Sequence, residues 1–254
     1  LRHVSEAFSE DPLRVLRIAR FKAKLSQFDF IIADETINLV QKIVGSGELS
    51  SLVPERTWLE TEKVFKADDF NEYFITLINL NTFNQIYQDL TDLDSEFFSS
   101  HLILEAARQQ YSPEIRFASI FYSLMRNGEE NIRNRVESMR ENMRFANSYK
   151  KLPLMLNSSL GLIEEDISKF TADHQLRIIE SIDAIRNPEN FDQIAKLIML
   201  DHSSDYTQKI AVLQKSLDDA KNIKINNLDE SKLAGNEIAK HIRKLRLKAI
   251  ESNQ

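Results

Sequence analysis

The 254-residue chain is 42% apolar and 28% charged, which is ordinary for a soluble globular protein. Its five glycines and five prolines are too few for a strand-rich fold or a phosphate-cradling loop. The absence of cysteine excludes disulfides, thiolate zinc sites and a cysteine nucleophile, and it fits a reducing, cytoplasmic compartment. A net charge of −6 argues against indiscriminate nucleic-acid binding, and no apolar run approaches membrane-spanning length.

The first three predicted helices have clear start or stop signals. Asp11 followed by a proline predicts an N-cap and a first helix that runs to about Leu25. A second helix is predicted from about Asp34 to Val44, where two nearby glycines end it. Pro54 marks the entry of a third helix.

Apolar residues at helical spacing continue along the rest of the chain and predict an all-α fold of elongated, multi-helix modules. These further helices are predicted at about 70–79, 82–89, 95–110, 113–126, 129–147, 163–168, 172–186, 188–200, 204–221 and 229–252. Any strand is limited to a stub at Leu1–Val4. Turn-forming residues near 66–69 and 149–159 predict boundaries between modules.

The first helix carries a charged stripe on an otherwise apolar surface. At about 100° per residue, Arg14, Arg17 and Arg20 fall within about 120° of one another. Glu10 projects into the same sector, and Asp11 lies about 60° from Arg14. The remaining circumference is apolar: Leu13, Val15, Leu16, Ile18, Ala19 and Phe21. Such a helix is buried on most sides, so we expect the stripe to face a cleft or a partner.

Two interpretations of this stripe remain open. In the first, Asp11 caps the helix, Glu10 favours its positive end, and Arg14 pairs with one of them. In the second, Asp11 and Arg14 read a base: the carboxylate accepts from an exocyclic amino group, and the guanidinium donates to the neighbouring ring acceptor. Cytosine and adenine present that pattern, whereas uracil and guanine present a carbonyl oxygen and an N–H there. Three arginines in register favour the second interpretation.

Two stretches of the sequence resemble the bacterial CCA-adding enzymes, which are tRNA nucleotidyltransferases related to bacterial poly(A) polymerase. They read LRHVSEAFSEDPLRVLRIARFKAKL from residue 1 and GELSSLVPERTWLETEKVF from residue 47. The EDPxRxxRxxRF run is similar to the nucleotide-selecting motif of that family. The PERxWxETEK run is similar to the following motif, which supports the selecting helix.

The resemblance implies roles for the charged residues of both stretches. Asp11 and Arg14 would bond the Watson–Crick edge of incoming CTP or ATP. Glu10 and Arg17 would orient this pair or touch the nucleotide, and Arg20 would belong to the same nucleotide-binding stripe. Three residues of the third helix would brace the first and serve as structural support: Glu55, Arg56 and Glu60.

The resemblance also implies a neck at 1–66, a helical body at 67–150 and a tRNA-contacting tail at 151–254. The two-metal chemistry of the family would come from aspartates that hold Mg²⁺ in an N-terminal head domain of the same protein. No Gly-rich nucleotidyltransferase loop is found in this chain. We therefore expect that Leu1 begins just after the head, and that this chain alone binds no metal and does not catalyse.

Many relatives of this branch carry a metal-dependent phosphohydrolase site in the body, which reads R-F-A-x-x-x-H-D-L-G-K. The aligned stretch here is Arg116–Gly128, where Tyr122 and Ser123 stand at the metal-binding positions. His101 matches an upstream histidine of that site, and we interpret it as a packing residue on an apolar helix. Because tyrosine and serine are poor ligands for this role, we expect a degenerate body without metal or phosphohydrolase activity.

The C-terminal segment is basic although the whole chain is acidic. From Lys232 to Lys248 there are six lysines or arginines and a single acid, Glu237. The predicted packing face of this helix is Ile238, Ile242, Leu245 and Ala249. The predicted RNA-binding residues are Lys240, Arg243, Lys244, Arg246 and Lys248. A solvated amphipathic helix explains the charges about as well, and the resemblance favours contact with the RNA backbone.

The sequence thus predicts the neck, body and tail of a CCA-adding enzyme, whose partners are tRNA, CTP, ATP and the head domain, without a membrane. Two alternatives remain open. One is a poly(A) polymerase-like enzyme that selects ATP alone. The other is a non-catalytic helical RNA-binding module that reuses the scaffold.

Overall fold

The computed structural model describes residues 1–3, 8, 10–223 and 235–252. These residues form α-helices and short 3₁₀ turns without any strand, which confirms the predicted all-α fold. Val4 of the predicted strand stub and Lys232 of the basic tail lie outside the described residues. None of the described helices combines the length and the apolar character needed to cross a lipid bilayer.

The chain divides into two compact units, Leu1–Leu154 and Met155–Gln254. The described helices of the first unit are α1 (Leu13–Lys24), α2 (Asp34–Ser46), α3 (Pro54–Val64), α4 (Phe70–Asn79), α5 (Phe83–Ile86), α6 (Ser95–Phe98), α7 (His101–Arg108), α8 (Pro113–Arg126) and α9 (Ile132–Met143). Helix α10 (Asn147–Glu164) contains the boundary between the units. The second unit continues with α11 (Ala172–Ser181), α12 (Pro188–Ile198), α13 (Ser204–Lys221) and α14 (Gly235–Glu251). The predicted neck and body both fall in the first unit, so their separation stays a prediction.

Some predicted helices match the structure, and the differences have local causes. The helix predicted at 113–126 is α8. The helix predicted at 129–147 ends earlier, as α9, because Arg144 adopts the left-handed conformation with a φ of 57°. The helix predicted at 95–110 is two helices, α6 and α7, separated at Ser99 and Ser100.

The turn formers near 149–159 do not interrupt the helix, because α10 runs through Pro153. A proline inside a helix removes one backbone donor and costs on the order of 3 kcal/mol. Leu152, Leu156 and Leu160 are buried at helical spacing. Their burial, at about 2 kcal/mol for each side chain, outweighs the cost of the proline. The predicted module boundary therefore does not coincide with a helix end, and the border between the two compact units lies inside α10.

An aromatic core anchors α3 in the first unit. Trp58 is buried, as predicted, and its ring lies 5.7 Å from Phe117, 4.9 Å from Phe145 and 4.9 Å from Tyr149 between centroids. Phe65 packs edge-on against Phe117 at 5.6 Å. These rings cover one side of α3, so the other side of the helix can carry the charged groups that meet α1.

A buried arginine fixes the C-terminal end of α3. Arg116, on α8, donates hydrogen bonds to the carbonyl oxygens of Phe65 at 3.1 Å, Ala67 at 2.5 Å and Ala107 at 3.1 Å. Burial lowers the pKa of Arg116, and the nearby carboxylates of residues 68 and 69 partly oppose this. A cation is favourable at the negative end of a helix, so Arg116 links the C-terminal end of α3 to α7 and α8.

The second unit has its own apolar cluster, which corrects the predicted packing face of the tail helix. Ala172 and Leu176 of α11, Ala220 of α13 and Ile250 of α14 form the buried cluster, with Leu247 packed against it. The four residues of the predicted face of α14, from Ile238 to Ala249, are half-buried, whereas Ile250 is fully buried. The helix is therefore rotated towards its Leu247–Ile250 side relative to the prediction, because the buried cluster joins that side to α11 and α13.

Candidate functional site

Helix α1 packs against α3 and α4, and its apolar residues are buried as its pattern predicts. Phe21 is the exception, because 42% of its surface is exposed. At about 100° per residue, Phe21 falls between Arg14 and Arg17 on the helix surface, so it shares their solvent-facing sector. The guanidinium of Arg20 lies 4.6 Å from the centre of the Phe21 ring. The expectation that Phe21 is buried was therefore wrong.

Asp11 is held in place by two hydrogen bonds at the start of α1. Its Oδ1 accepts from the backbone N–H of Leu13 at 3.1 Å, and its Oδ2 accepts from Nη2 of Arg56, on α3, at 2.9 Å. Burial raises the pKa of the Asp11 carboxyl, but these bonds and the charges of Arg56 and Arg17 together lower it by a larger amount. The net pKa lies below its ordinary value, so Asp11 is an oriented carboxylate at neutral pH.

Arg14 is half-buried one turn further along α1. Among the residues that the structure describes, its guanidinium forms no hydrogen bond or ion pair, and the same holds for the exposed carboxylate of Glu10. The interpretation in which Arg14 pairs with Glu10 or Asp11 is therefore wrong, since Arg56 occupies that role. No side chain among the described residues therefore occupies the guanidinium of Arg14.

Glu60 connects the other two arginines of the stripe to α3. Its side chain is only 5% exposed, and it accepts from Nε of Arg20 at 2.9 Å and from Nζ of Lys63 at 2.9 Å. Nε of Arg17 lies 3.6 Å from the same carboxylate. Burial raises the pKa of Glu60, but Lys63 and Arg20 lower it more, so the net pKa is below its ordinary value. Three cations around one carboxylate leave an excess of positive charge at this surface.

Two of the three predicted bracing residues thus contact α1. Arg56 reaches Asp11, and Glu60 reaches Arg17 and Arg20. Glu55, by contrast, is exposed and makes no hydrogen bond or ion pair within the described ranges. Lys63 was not predicted as part of this cluster, although its spacing of three residues from Glu60 on the same helix is a signal for such a pair.

The carboxylates at positions 11, 60, 92 and 94 are already bonded within the protein and do not fit a metal. Asp11 and Glu60 are already bonded to cations. The sequence contains one Asp-x-Asp, formed by Asp92 and Asp94. Asp92 is paired with Arg135 at 3.1 Å, and Asp94 caps α6 by accepting the backbone N–H of residue 97 at 2.8 Å. These groups are committed to ion pairing and capping, so a magnesium site is not assigned to them.

The degenerate body motif lies in the core of the first unit. Tyr122 and Ser123 are buried in α8. The hydroxyl of Ser123 lies 3.4 Å from that of Ser100. His101 is exposed, so the interpretation of it as a packing residue was wrong. It is the first residue of α7.

The basic residues of α14 separate into two groups. Lys240, Lys244 and Lys248 are exposed and follow one another at intervals of four residues, so they form a row along one side of the helix. Arg243 instead donates to Asp173 at 2.8 Å and to Glu180 at 3.1 Å, both on α11. The hydrogen bond to Asp173 is the main cause of the raised pKa of Arg243, followed by burial, which opposes it, and then by Glu180. Arg243 therefore links α14 to α11 through two ion pairs.

Arg246 differs from the lysine row. It is half-buried and lines a groove of about 520 Å³ in the second unit, together with Arg186 and Glu180. Of the five predicted RNA-binding residues, the three lysines are thus the most accessible.

Solved structures share this helical scaffold. A tRNA-processing enzyme with CTP aligns with 98% of the chain at a TM-score of 0.57 and 18% identity, and the chain covers 65% of it. An apo form of a tRNA-processing enzyme aligns at a TM-score of 0.59 and 18% identity, again over 98% of the chain and 62% of that structure. The fold is therefore that of helical regions in tRNA-processing enzymes.

Sequence comparison gives more specific similarities than these tRNA-processing enzymes do. The multifunctional CCA protein of Acinetobacter baumannii is 28% identical over 98% of the chain and 68% of its own length. The CCA-adding enzyme of Pseudomonas putida is 28% identical over 99% of the chain and 66% of its length. No protein-family model matches. These findings confirm the predicted resemblance: the chain is similar to the bacterial CCA-adding enzymes, and it spans about two thirds of the length of these two.

The Glu60 cluster makes stability depend on pH. Because the pKa of Glu60 is lowered in the folded state, its ionisation stabilises the fold above the ordinary value of 4.5. That stabilisation is lost as the pH falls through the lower, folded-state pKa.

We expect Glu60→Gln to lower the free energy of unfolding at pH 7 by about 2–4 kcal/mol, since it leaves partly buried cations without their partner.

The measurement is urea unfolding of both proteins at pH 7 and pH 4, where the difference between them should shrink. Glu55→Gln is the matched control, because Glu55 is exposed on the same helix. Its effect should stay within about 0.5 kcal/mol at either pH. An equal loss for Glu60→Gln at both pH values would show that its charge does not stabilise the cluster.

Proposed function

We propose that this chain is the neck, body and tail of a CCA-adding tRNA nucleotidyltransferase, and that it selects CTP and ATP and binds tRNA. The proposal is supported by the curated relatives and by one geometric observation. At the start of α1, Asp11 provides an oriented carboxylate. Arg14, three residues later, provides a guanidinium that has no partner among the described residues. A carboxylate retains lone pairs after accepting two hydrogen bonds, so Asp11 can accept a third from a base.

Base selection follows from the donors and acceptors of this pair. The Asp11 carboxylate accepts from the exocyclic amino group of cytosine or adenine, and the Arg14 guanidinium donates to the adjacent ring nitrogen. Uracil and guanine place a carbonyl oxygen against the carboxylate and an N–H against the guanidinium. Two acceptors then face each other, as do two donors, and both contacts are repulsive. The bonds from Arg56 and from the Leu13 N–H keep Asp11 ionised and aimed, so little reorganisation is needed when a nucleotide binds.

The rest of the stripe supplies charge and position. Arg17 is 45% exposed on its side chain, so it can approach a phosphate of the nucleotide while it remains near Glu60. Arg20 is mostly covered and is fixed by Glu60, so it acts as a positioning residue. The excess positive charge of this cluster favours the approach of a triphosphate.

The transfer step itself is assigned to a head domain that precedes this chain in the whole protein. There, Mg²⁺ would stabilise the attacking and leaving oxygens. The carboxylates Asp11 and Glu60 do not fit a metal, since cations already pair with them. The chain alone is therefore expected to bind and select rather than to catalyse.

Asp11→Ala and Arg14→Ala test base selection in a protein extended upstream to include the head. With tRNA that lacks its CCA end, each variant should lose at least about tenfold in the preference for CTP over UTP, the value of one good base contact. Incorporation of each nucleotide is measured under single-turnover conditions.

Lys24→Ala is the matched control, because Lys24 is exposed at the far end of α1 and should leave the preference unchanged. Wild-type discrimination in both test variants would contradict base reading by this pair. Selection of ATP alone by the unaltered protein would instead indicate the poly(A) polymerase-like alternative.

The lysine row of α14 is assigned to the phosphate backbone of tRNA, because helical RNA arms are recognised largely by shape and phosphate. The double variant Lys244→Glu/Lys248→Glu should weaken binding of tRNA that lacks CCA by about tenfold or more, and the plot of log affinity against log salt should become shallower by about one to two. Filter binding across a salt series measures both quantities.

Lys196→Glu/Lys221→Glu, at exposed lysines of α12 and α13, controls for the overall change in charge. If the α14 variant keeps the affinity and salt slope of this control, α14 serves packing only.

A further inference from the structure

A chain of buried hydroxyl groups lies next to the Glu60 cluster. The Tyr73 hydroxyl is 2.9 Å from that of Tyr87, which is 2.6 Å from the hydroxyl of Thr61. Thr61 in turn donates to the backbone carbonyl of Thr57 at 2.9 Å. All four residues are buried.

The direction of this chain follows from its last bond. A hydroxyl has one hydrogen, and that of Thr61 is used on the Thr57 carbonyl. Tyr87 must therefore donate to Thr61, and Tyr73 must donate to Tyr87. The order of donation runs from Tyr73 on α4, through Tyr87 just after α5, to α3.

The chain of hydroxyl groups is hydrogen bonded to the same two turns of α3 that meet α1. Thr57 and Thr61 each follow directly after a residue that contacts the α1 stripe, Arg56 or Glu60. Successive side chains are about 100° apart around a helix, so the hydroxyls and the charged groups occupy neighbouring faces of these turns. Burial raises the pKa of Tyr73, and the nearby charge of Glu60 raises it further. The two networks therefore lie within electrostatic reach of each other.

The surroundings indicate that these hydroxyls serve orientation rather than packing. Phe74 contacts the rings of both Tyr73 and Tyr87, at 5.1 and 5.7 Å between centroids. Phe83 also packs on Tyr87 at 5.3 Å. Phenylalanine would fill such a site with the same ring and no polar group to satisfy. What the hydroxyls add is directional bonding that allows only one rotation and one register of α3 against α4 and the segment after α5.

We propose that Tyr87, through its bond to Thr61, is a positioning residue that sets α3 so that Arg56 and Glu60 meet the α1 stripe. The link to base selection rests on the proposed function. The link between the hydroxyl chain and the charged cluster does not, and it can be read on this chain alone.

The first test uses Tyr87→Phe in the 254-residue chain, with NMR detection of the Nε–H of Arg20, which donates to Glu60. We expect this resonance to shift or broaden, because the variant leaves the Tyr73 donor and the Thr61 oxygen without their partner. Tyr73→Phe should have a smaller effect, since it removes only the first donor and leaves the bonds of Tyr87 and Thr61 intact. Thr61→Val, which removes the acceptor of the same bond, carries the test if Tyr87→Phe does not fold.

Ser119→Ala is the matched control. It also removes a buried hydroxyl, one that donates to the carbonyl of Arg116 at 2.7 Å, but it is not part of the hydroxyl chain. It should leave the Arg20 resonance unchanged. If the tyrosine variants leave that resonance as Ser119→Ala does, the coupling of the two networks is overturned.

The second test places Tyr87→Phe in the head-containing protein and compares CTP with UTP incorporation. The preference should fall about two- to tenfold, the size of one hydrogen bond, while Ser119→Ala retains it. An unchanged preference overturns the positioning role. Asp11→Ala in the same assay shows whether base selection by α1 has itself failed, so the two failures are distinguishable.

Discussion

The arrangement of the first unit depends on the burial of one carboxylate. Glu60 sits on α3 with its side chain only 5% exposed, so its charge must be neutralised and hydrogen bonded within the protein. Arg20 and Lys63 do this directly, and Arg17 lies beside them. The requirement joins α1 to α3, and it explains why a helix with an apolar majority carries Arg17 and Arg20 on the same side.

The same constraint separates the stripe into parts with different tasks. Arg17 and Arg20 are held by Glu60, whereas Asp11 is held by Arg56 and by the backbone of α1. Arg14 alone among the three arginines has no partner within the described residues. The network that stabilises the contact of α1 with α3 thus leaves one guanidinium available next to one aimed carboxylate. Structural support and the proposed base recognition therefore use different groups of one helix.

Much of this was predictable from local patterns, and the remainder depended on tertiary contacts. Helical periodicity, the proline after Asp11 and the spacing of the arginines predicted the all-α fold and the stripe. Residue spacing did not predict the partner of Asp11, because Arg56 is distant in sequence; only the family resemblance implied that Arg56 braces the first helix. The rotation of α14 was missed for the same reason: its sequence has two apolar faces, and contact with α11 and α13 selects the one that contains Ile250.

The most direct test of this account is a double-mutant cycle between Arg20 and Glu60. Urea unfolding of Arg20→Met, Glu60→Gln and the double variant at pH 7 should give a coupling free energy of about 1–3 kcal/mol. The exposed pair Arg2–Glu35 provides a reference cycle, which should give no more than about 0.5 kcal/mol. A coupling for Arg20 and Glu60 as small as that of the reference pair would contradict the claim that this carboxylate joins α1 to α3.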